Sequence, residues 1–313
     1  MKHFQLPLRF LSDEDFSGKR QFHVLNLGAG VQSTTLALLF ADGSLMDSSG
    51  SPIRIDCAIF ADTQEEPEDE GHSVYSHLEW LKAKLPYPVI VRSAGKLGDH
   101  LLKGVNSSGG RFASIPAFTL GRKKDGSTKV SKTRRQCTRD YKICEVEKGI
   151  RRDLLGLKQR QLVPKDVVVH QYIGISLDES GRMLRAQARQ REKPTKWARF
   201  HYPLIESLRW TRADCRAFLA DKVPHRVPRS ACVFCPFHDN EEWQRIKERN
   251  GRDWKRAVEI DRALRIPGNV VNRKLNQQLF LHRACVPLDQ IDFTKDRNGD
   301  RSMAGECQGM CGS

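Results

Sequence analysis

Six of the nine cysteines fall in short-range pairs: Cys137 with Cys144, Cys232 with Cys235, and Cys307 with Cys311. The tightest pair lies in "SACVFCPFH" at 230–238, where a C-x-x-C turn closed by proline points two sulfurs at one centre. That arrangement suits zinc or an iron–sulfur cluster. A redox dithiol would want the pair at a helix start just after a strand, a pattern that is weaker here. One pair is half a site, and Cys137 in "RRQCTRDYKIC" is a candidate for the rest, because Arg134, Arg135 and Arg139 around it stabilise a thiolate or an anionic cluster. If 138–148 is helical, Cys144 lies about two turns, roughly 10 Å, from Cys137. That is a stretch for one cluster, so Cys144 is an alternative ligand or a core residue. Cys307 and Cys311 can fold back to donate a ligand or stay mobile as sulfur or electron carriers. Cys57, Cys215 and Cys285 sit in apolar or helical runs and read as small core hydrophobes.

A second candidate is "VLNLGAGVQSTTLALL" at 24–39, a buried strand, a glycine turn and a helix start. Gly28 and Gly30 allow a tight bend, and Ser33 and Thr34 lie where a helix leaves its first N–H groups for an anion such as phosphate. An ordinary capped turn would look the same. "FADTQEEPEDE" at 60–70 puts Asp62 and Thr63 at the end of a strand, where open α/β sheets bind ligands. Its carboxylates suit magnesium or plain solvation, and solvation is the expectation for Glu68 to Glu70. "IGISLDESGRM" at 173–183 ends a strand with Gly174 and Ser176 and then presents Asp178, Glu179 and Arg182.

These residues need a scaffold. Apolar runs at 22–27, 55–60, 88–92 and 167–176 alternate with helical patterns, which implies a parallel sheet covered by helices. In "SHLEWLKAKL", Leu78, Leu81 and Leu85 form a face to pack on it. Residues 104–133 are rich in Gly, Ser and Lys with little periodicity, and read as a mobile loop or lid. After residue 206 the pattern becomes helical, with Trp254, Val258 and Leu264 on one face as packing anchors. The division expected is an N-terminal extension at 1–20, a nucleotide-binding α/β domain at 21–206, and a helical region at 207–313 with a cysteine-bearing tail.

At 313 residues and 39% hydrophobic content the chain can bury a sizeable core. The start carries Pro7 and acidic residues where a signal peptide needs an unbroken apolar run. A soluble cytoplasmic protein with no membrane partner is the expectation, and so many cysteines then point to metal or thiol chemistry rather than disulfides. The net charge of +15 is concentrated: residues 121–160 hold 14 Lys/Arg against 5 Asp/Glu, and residues 182–200 hold 7 against 1. Clustering of this kind points to a polyanion, naturally a nucleic acid, with Arg134, Arg135, Arg139, Arg185 and Arg189 as candidate contacts.

Taken in order, these segments resemble the PP-loop ATP pyrophosphatase superfamily, in its phosphoadenosine phosphosulfate reductase-like branch, which includes the DNA phosphorothioation sulfur-transfer ATPases. "GAGVQST" lies where that family has its SGGxDS-type loop, and "FADTQEEPE" resembles its DTG…PE segment. "RQCTRDYKI" resembles its Cys-Thr…Lys block, "IGISLDESGR" its G-I-R-x-x-E-S-x-x-R segment, "YPLIESLRW" its P-L-x-x-W element and "CVFCPF" its C-x-x-C-P pair. Gly28, Ala29 and Gln32 depart from the family's serine, glycine and aspartate; backbone cradling survives the change, whereas a carboxylate for magnesium is lost.

The resemblance implies a doubly wound, mainly parallel sheet of the adenine nucleotide alpha hydrolase type with a helical C-terminal extension. It implies ATP and Mg2+ as cofactors, with cleavage between the α and β phosphates. The nucleotide would be held by Gly28, Ala29, Gly30, Gln32, Ser33, Thr34, Asp62, Thr63, Gly174 and Arg182, with Ser33, Lys142 and Arg182 offsetting charge. It further implies a [4Fe–4S] cluster on Cys137, Cys232, Cys235 and Cys307, with Cys311 or Cys144 as alternative ligand or persulfide carrier and zinc as the alternative metal. Substrate adenylation would then prepare DNA or RNA for sulfur insertion, fed by a donor such as a cysteine desulfurase. Two other readings compete: a sulfonucleotide reductase, weakened by a tail "GECQGMCG" that departs from the ending of such reductases, and a non-catalytic nucleotide and nucleic-acid binding subunit.

Overall fold

The computed structural model describes residues 6–7, 16, 18–68, 73–105, 115–122, 124–133, 135–266 and 278–294. Its centre is a five-stranded parallel sheet in the order β5-β4-β2-β8-β9, formed by β2 (Arg20–Leu27), β4 (Cys57–Asp62), β5 (Val89–Ser93), β8 (Val167–Ile173) and β9 (Ala198–His201). Two two-residue strands, β1 (Leu6–Pro7) and β3 (Leu45–Met46), pair separately. The chain grows outward from β2 through β4 to β5, then crosses over to β8 and β9 on the other side. The reversal falls between β2 and β8, so their carboxyl ends open onto the crevice where such sheets take ligands.

Strand alternation sends Leu25, Leu27, Ala58 and Phe60 to one face and Val24, Cys57, Ile59 and Ala61 to the other. The first face is covered by α1 (Val31–Ala41), α2 (Val74–Lys84) and α7 (Arg212–Ala220). Leu78, Leu81 and Leu85 pack there as their spacing predicts, and Cys215 joins them. Val146 and Ile150 cover the second face from a continuous helical stretch. In it α4 (Cys144–Lys148) is flanked by wide π turns at Thr138–Ile143 and Gly149–Leu154. Helices on both faces fit a doubly wound fold. On the face of Tyr172 the sheet also carries a histidine ladder: His23 stacks on His170, whose Nδ1 lies 2.9 Å from His201 Nε2.

A second core joins α3 (Leu97–Lys103), α8 (Asn240–Arg249) and α9 (Arg252–Arg265) through Leu97, Leu101, Trp243, Trp254 and Leu264, together with Tyr141 and Phe234. Both tryptophans are packing anchors. Asn250, in a left-handed conformation with φ 47°, ends α8 as the Asn-Gly pair predicts. A buried ion cluster ties this unit to the sheet: Arg256 donates to both Glu65 oxygens and to Asp99, and Glu65 also accepts from Gly98 N. Two further helices complete the order, the 13-residue α5 (Ser180–Glu192) and the short α6 (Pro203–Glu206).

One expectation is corrected. The stretch read as a loop or lid at 104–133 contains an antiparallel hairpin, β6 (Phe118–Arg122) and β7 (Thr128–Lys132). Its strands hide no continuous apolar face, so alternation was absent from the sequence. Among the described residues no helix is long and apolar enough to cross a membrane.

Candidate functional site

The loop after β2 turns directly into α1. Gly30 is the N-cap, without a side-chain capping bond. Ala29 sits at φ 54°, a left-handed conformation that costs an alanine roughly 1 kcal/mol. Four consecutive polar residues, Gln32 to Thr35, are fully buried at this helix start, so each must find partners within the protein. Ser33 Oγ accepts from Gly28 N and donates to Gly30 O, both at 3.2 Å, closing the turn on itself. Thr34 Oγ1 lies 2.9 Å from His77 Nε2, and His77 Nδ1 lies 2.8 Å from His225 Nε2. Burial, then the neighbouring His225, pushes His77 down to about 3.

Gln32 reaches across to the end of β8. Its amide donates to Ser176 Oγ and to Glu179 Oε2, each at 2.7 Å, and Arg182 Nη1 donates to the same Glu179 oxygen at 2.7 Å. Gly174 makes the approach feasible: a Cβ there would lie 2.8 Å from Ser33 N and 2.9 Å from Gln32 C. On the other flank, Asp62 Oδ1 accepts from Gln64 N at 2.7 Å and Tyr75 Oη at 3.0 Å. Gly28, Ala29, Gly30, Gln32, Ser33, Thr34, Gly174 and Arg182 thus gather at the β2–β8 crevice, with Asp62 ending the adjacent β4 and Thr63 just beyond it.

Beyond Thr63 lies a small pocket with about 20 Å³ of free interior space. Cys137, Cys232 and Cys235 all line it, with Thr63, Arg135, Lys142, Phe234 and Pro236 among the other walls. Three cysteines separated by up to 98 positions in sequence share one cavity; yet among the described residues no three His, Cys, Asp or Glu side chains group so as to hold a metal ion. The thiols surround the space rather than converge on a point. Thr63 Oγ1 lies 3.2 Å from Cys232 Sγ, and burial, then Glu66, pushes the Cys232 thiol well up. Lys142, expected to offset phosphate charge, lines this pocket, with Nζ 3.5 Å from the buried Glu66 Oε1.

Cys144 is absent from the pocket lining, and its thiol is raised chiefly by burial. Cys57, Cys215 and Cys285 are buried as core residues. Arg135 lies over the Phe237 ring at 4.9 Å, at the pocket rim, while Arg139, Arg185 and Arg189 are exposed on their helical segments. Arg134, Cys307 and Cys311 lie outside the described residues. Sequence reasoning missed His77, Glu66 and the Gln32–Glu179 contact. Nothing local marks His77, which meets Thr34 only because α2 packs beside α1. Compared with models of protein families, with curated proteins and with solved structures, the chain matches none.

Proposed function

We propose that the protein is an ATP pyrophosphatase, of the adenine nucleotide alpha hydrolase type, that adenylates a nucleic acid and prepares it for sulfur insertion. A shared wall carries this reading: Thr63 directly follows β4, the strand beside β2 and its loop, and its hydroxyl touches Cys232 of the thiol pocket. Activation and sulfur delivery at neighbouring sites would need such a border.

In this reading a substrate oxygen attacks the α-phosphorus, the α–β anhydride bond breaks, and pyrophosphate leaves with the bonding pair. The adenylated oxygen then departs with AMP when the terminal sulfur of a donor persulfide, such as a cysteine desulfurase supplies, displaces it. A second thiol cleaves the resulting donor–substrate disulfide, leaving the sulfur on the substrate and the donor and second thiol joined as a disulfide. The chain acts by positioning and charge neutralisation, through the N–H groups of the Gly28–Thr34 turn, the Ser33 hydroxyl and Arg182. Magnesium would be held through one or two carboxylates plus substrate phosphates, with Asp62 and Glu179 as the carboxylates at the crevice and Gln32 offering only an amide.

In this reading the group is an iron–sulfur cluster, with zinc as the alternative metal, supported by three cysteines lining one pocket. Cys137, Cys232 and Cys235 would hold a [4Fe–4S] group, with Cys307 as the fourth ligand and Cys311 as a carrier. Such a group supplies a place to hold sulfide. Lys142 and Arg135 would keep positive charge beside it, and Phe234 and Ile115 would keep water out.

The engagement of Gln32 by Glu179 favours a second reading, a subunit that binds nucleotide and nucleic acid without cleavage. Anaerobically purified protein given ATP, magnesium and nucleic acid should release pyrophosphate. ATP bound without pyrophosphate would favour the second reading, and sulfite released from a sulfonucleotide would replace both with a reductase.

A further inference from the structure

The β6–β7 hairpin leaves the protein at the rim of the thiol pocket. Ile115 and Pro116, just before it, line that pocket, as does Arg135 just after it. Its base is fixed by backbone bonds between Phe118 and Phe280 and between Thr133 and Ala117. Beyond that base β7 is exposed along its whole length. A two-stranded ribbon is marginal by itself in water, so leaving one uncovered calls for a reason.

Its faces supply one. Register places Arg122 opposite Thr128, Leu120 opposite Val130 and Phe118 opposite Lys132 on one side, and Gly121 opposite Lys129 on the other. Leu120 and Val130, each 48% exposed, form a bare apolar pair. Around them residues 118–133 hold five Lys/Arg (Arg122, Lys123, Lys124, Lys129, Lys132) against the single acid Asp125. Asp125 is turned back on Ser127, accepting from its N–H and hydroxyl at 2.9 and 2.6 Å. Lys132 and Arg135 both lie over Phe237, linking the ribbon's charge to the pocket mouth.

We propose that this ribbon is a DNA-reading arm whose solvent face enters the major groove of a B-form duplex. Five-residue strands span about 17 Å, and a groove about 12 Å wide admits a two-stranded ribbon. On that face Arg122 meets guanine edges and the Leu120–Val130 pair meets thymine methyl groups, while Lys124 in the turn and Lys129 from the reverse side reach the phosphates flanking the groove. Duplex RNA does not fit, because its A-form major groove is deep and too narrow for side chains to read. The inference deepens the proposed function and rests on it only for the purpose of delivery, bringing a DNA backbone to the thiol pocket.

Binding of a labelled DNA duplex of about 20 base pairs, without ATP, tests the arm against an RNA duplex of the same sequence. R122E/K129E should weaken DNA binding at least about tenfold and flatten its salt dependence, and L120S/V130S should lessen discrimination between A·T-rich and G·C-rich duplexes. RNA should bind at least about tenfold more weakly than DNA. Unchanged DNA affinity in R122E/K129E, equal affinity for RNA, or no DNA binding by the parent protein would each overturn the arm. All four residues are solvent-facing, and a thermal melt matching the parent's shows that each variant folds. Pyrophosphate release by the parent separates the two ideas: its absence alongside ribbon-dependent DNA binding removes the proposed function alone, and its presence alongside ribbon-independent binding removes the arm alone.

Discussion

The crevice at the β2–β8 ends and the thiol pocket beyond Thr63 are built on opposite principles. In the crevice every buried polar side chain of the α1 start is tied down, Gln32 to β8's exit, Ser33 to the loop itself, Thr34 through His77 to His225, and Thr35 to Val31 O within the helix. The pocket is walled mainly by apolar groups, and its sulfurs stand around a space. A tied site is organised before its ligand arrives, so binding orders little further. A site of thiols around a cavity gains its remaining interactions from what fills it. Loop substitutions should therefore damage the protein itself, and cysteine substitutions should damage only what the pocket holds.

The strongest way to break that contrast is Gly174→Val. Its side chain must displace the Ser33 backbone, and the variant should lose about 3 kcal/mol by denaturant unfolding and essentially all nucleotide binding by calorimetry. Gln32→Asp comes next: a carboxylate facing Glu179 should cost about 2 kcal/mol without magnesium, and millimolar magnesium should restore much of it in a thermal melt. A loss that magnesium leaves untouched would remove Glu179 as a ligand.

Acid gives an effect of similar size. His77 at about 3, like His170 at about 4 and His201 at about 3, is held below the ordinary histidine value of 6.5 mainly by burial. The unfolded chain takes up protons first as pH falls through 6.5, so stability is full above that value and declines below it. Near pH 5 the decline should reach about 2 kcal/mol for a histidine displaced that far. His77→Gln should lessen it in a pH series of melts. Cys232→Ala should cost the apo protein only about 1 kcal/mol, yet remove the brown colour and absorbance near 400 nm expected of anaerobic protein, which Cys57→Ala should keep. Smallest is Ala29→Gly, which should stabilise by a few tenths to about 1 kcal/mol through relief at φ 54°.

Four strands of the central sheet were legible because each is a short apolar run, and the C-terminal helices because caps such as Asn250-Gly251 punctuate them; the edge strand β9, with the sequence ARFH, has no such run and was missed. The hairpin was not legible either. "TKVSK" alternates polar residues with a single valine, and its pairing partner lies across a turn rich in lysine. In the site, the C-x-x-C pair announced itself by spacing, and the arginines around Cys137 marked its partner. For Lys142 the sequence offers only a charge; the packing of its helix against β4 is what brings it to Glu66. Gln32 stood out as a departure, but its acceptor lies 147 positions away, brought near by the β2–β8 pairing.

The two wide turns flanking α4 make the site depend on a count of residues. Cys137 and Lys142 reach the thiol pocket from the first of them, while Val146 and Ile150 seat the helix on the sheet. Removing one residue within Thr138–Ile143 would let the turn tighten toward ordinary α geometry, as wide turns are typically single-residue insertions. Everything before it would then rotate by about 100° relative to the seated end. Such a deletion would preserve every cysteine, the charge balance and the buried face of the helix, and still carry the Cys137 sulfur out of the cavity. Chains of this kind that differ by one residue here would be alike in composition and unlike in what they can hold.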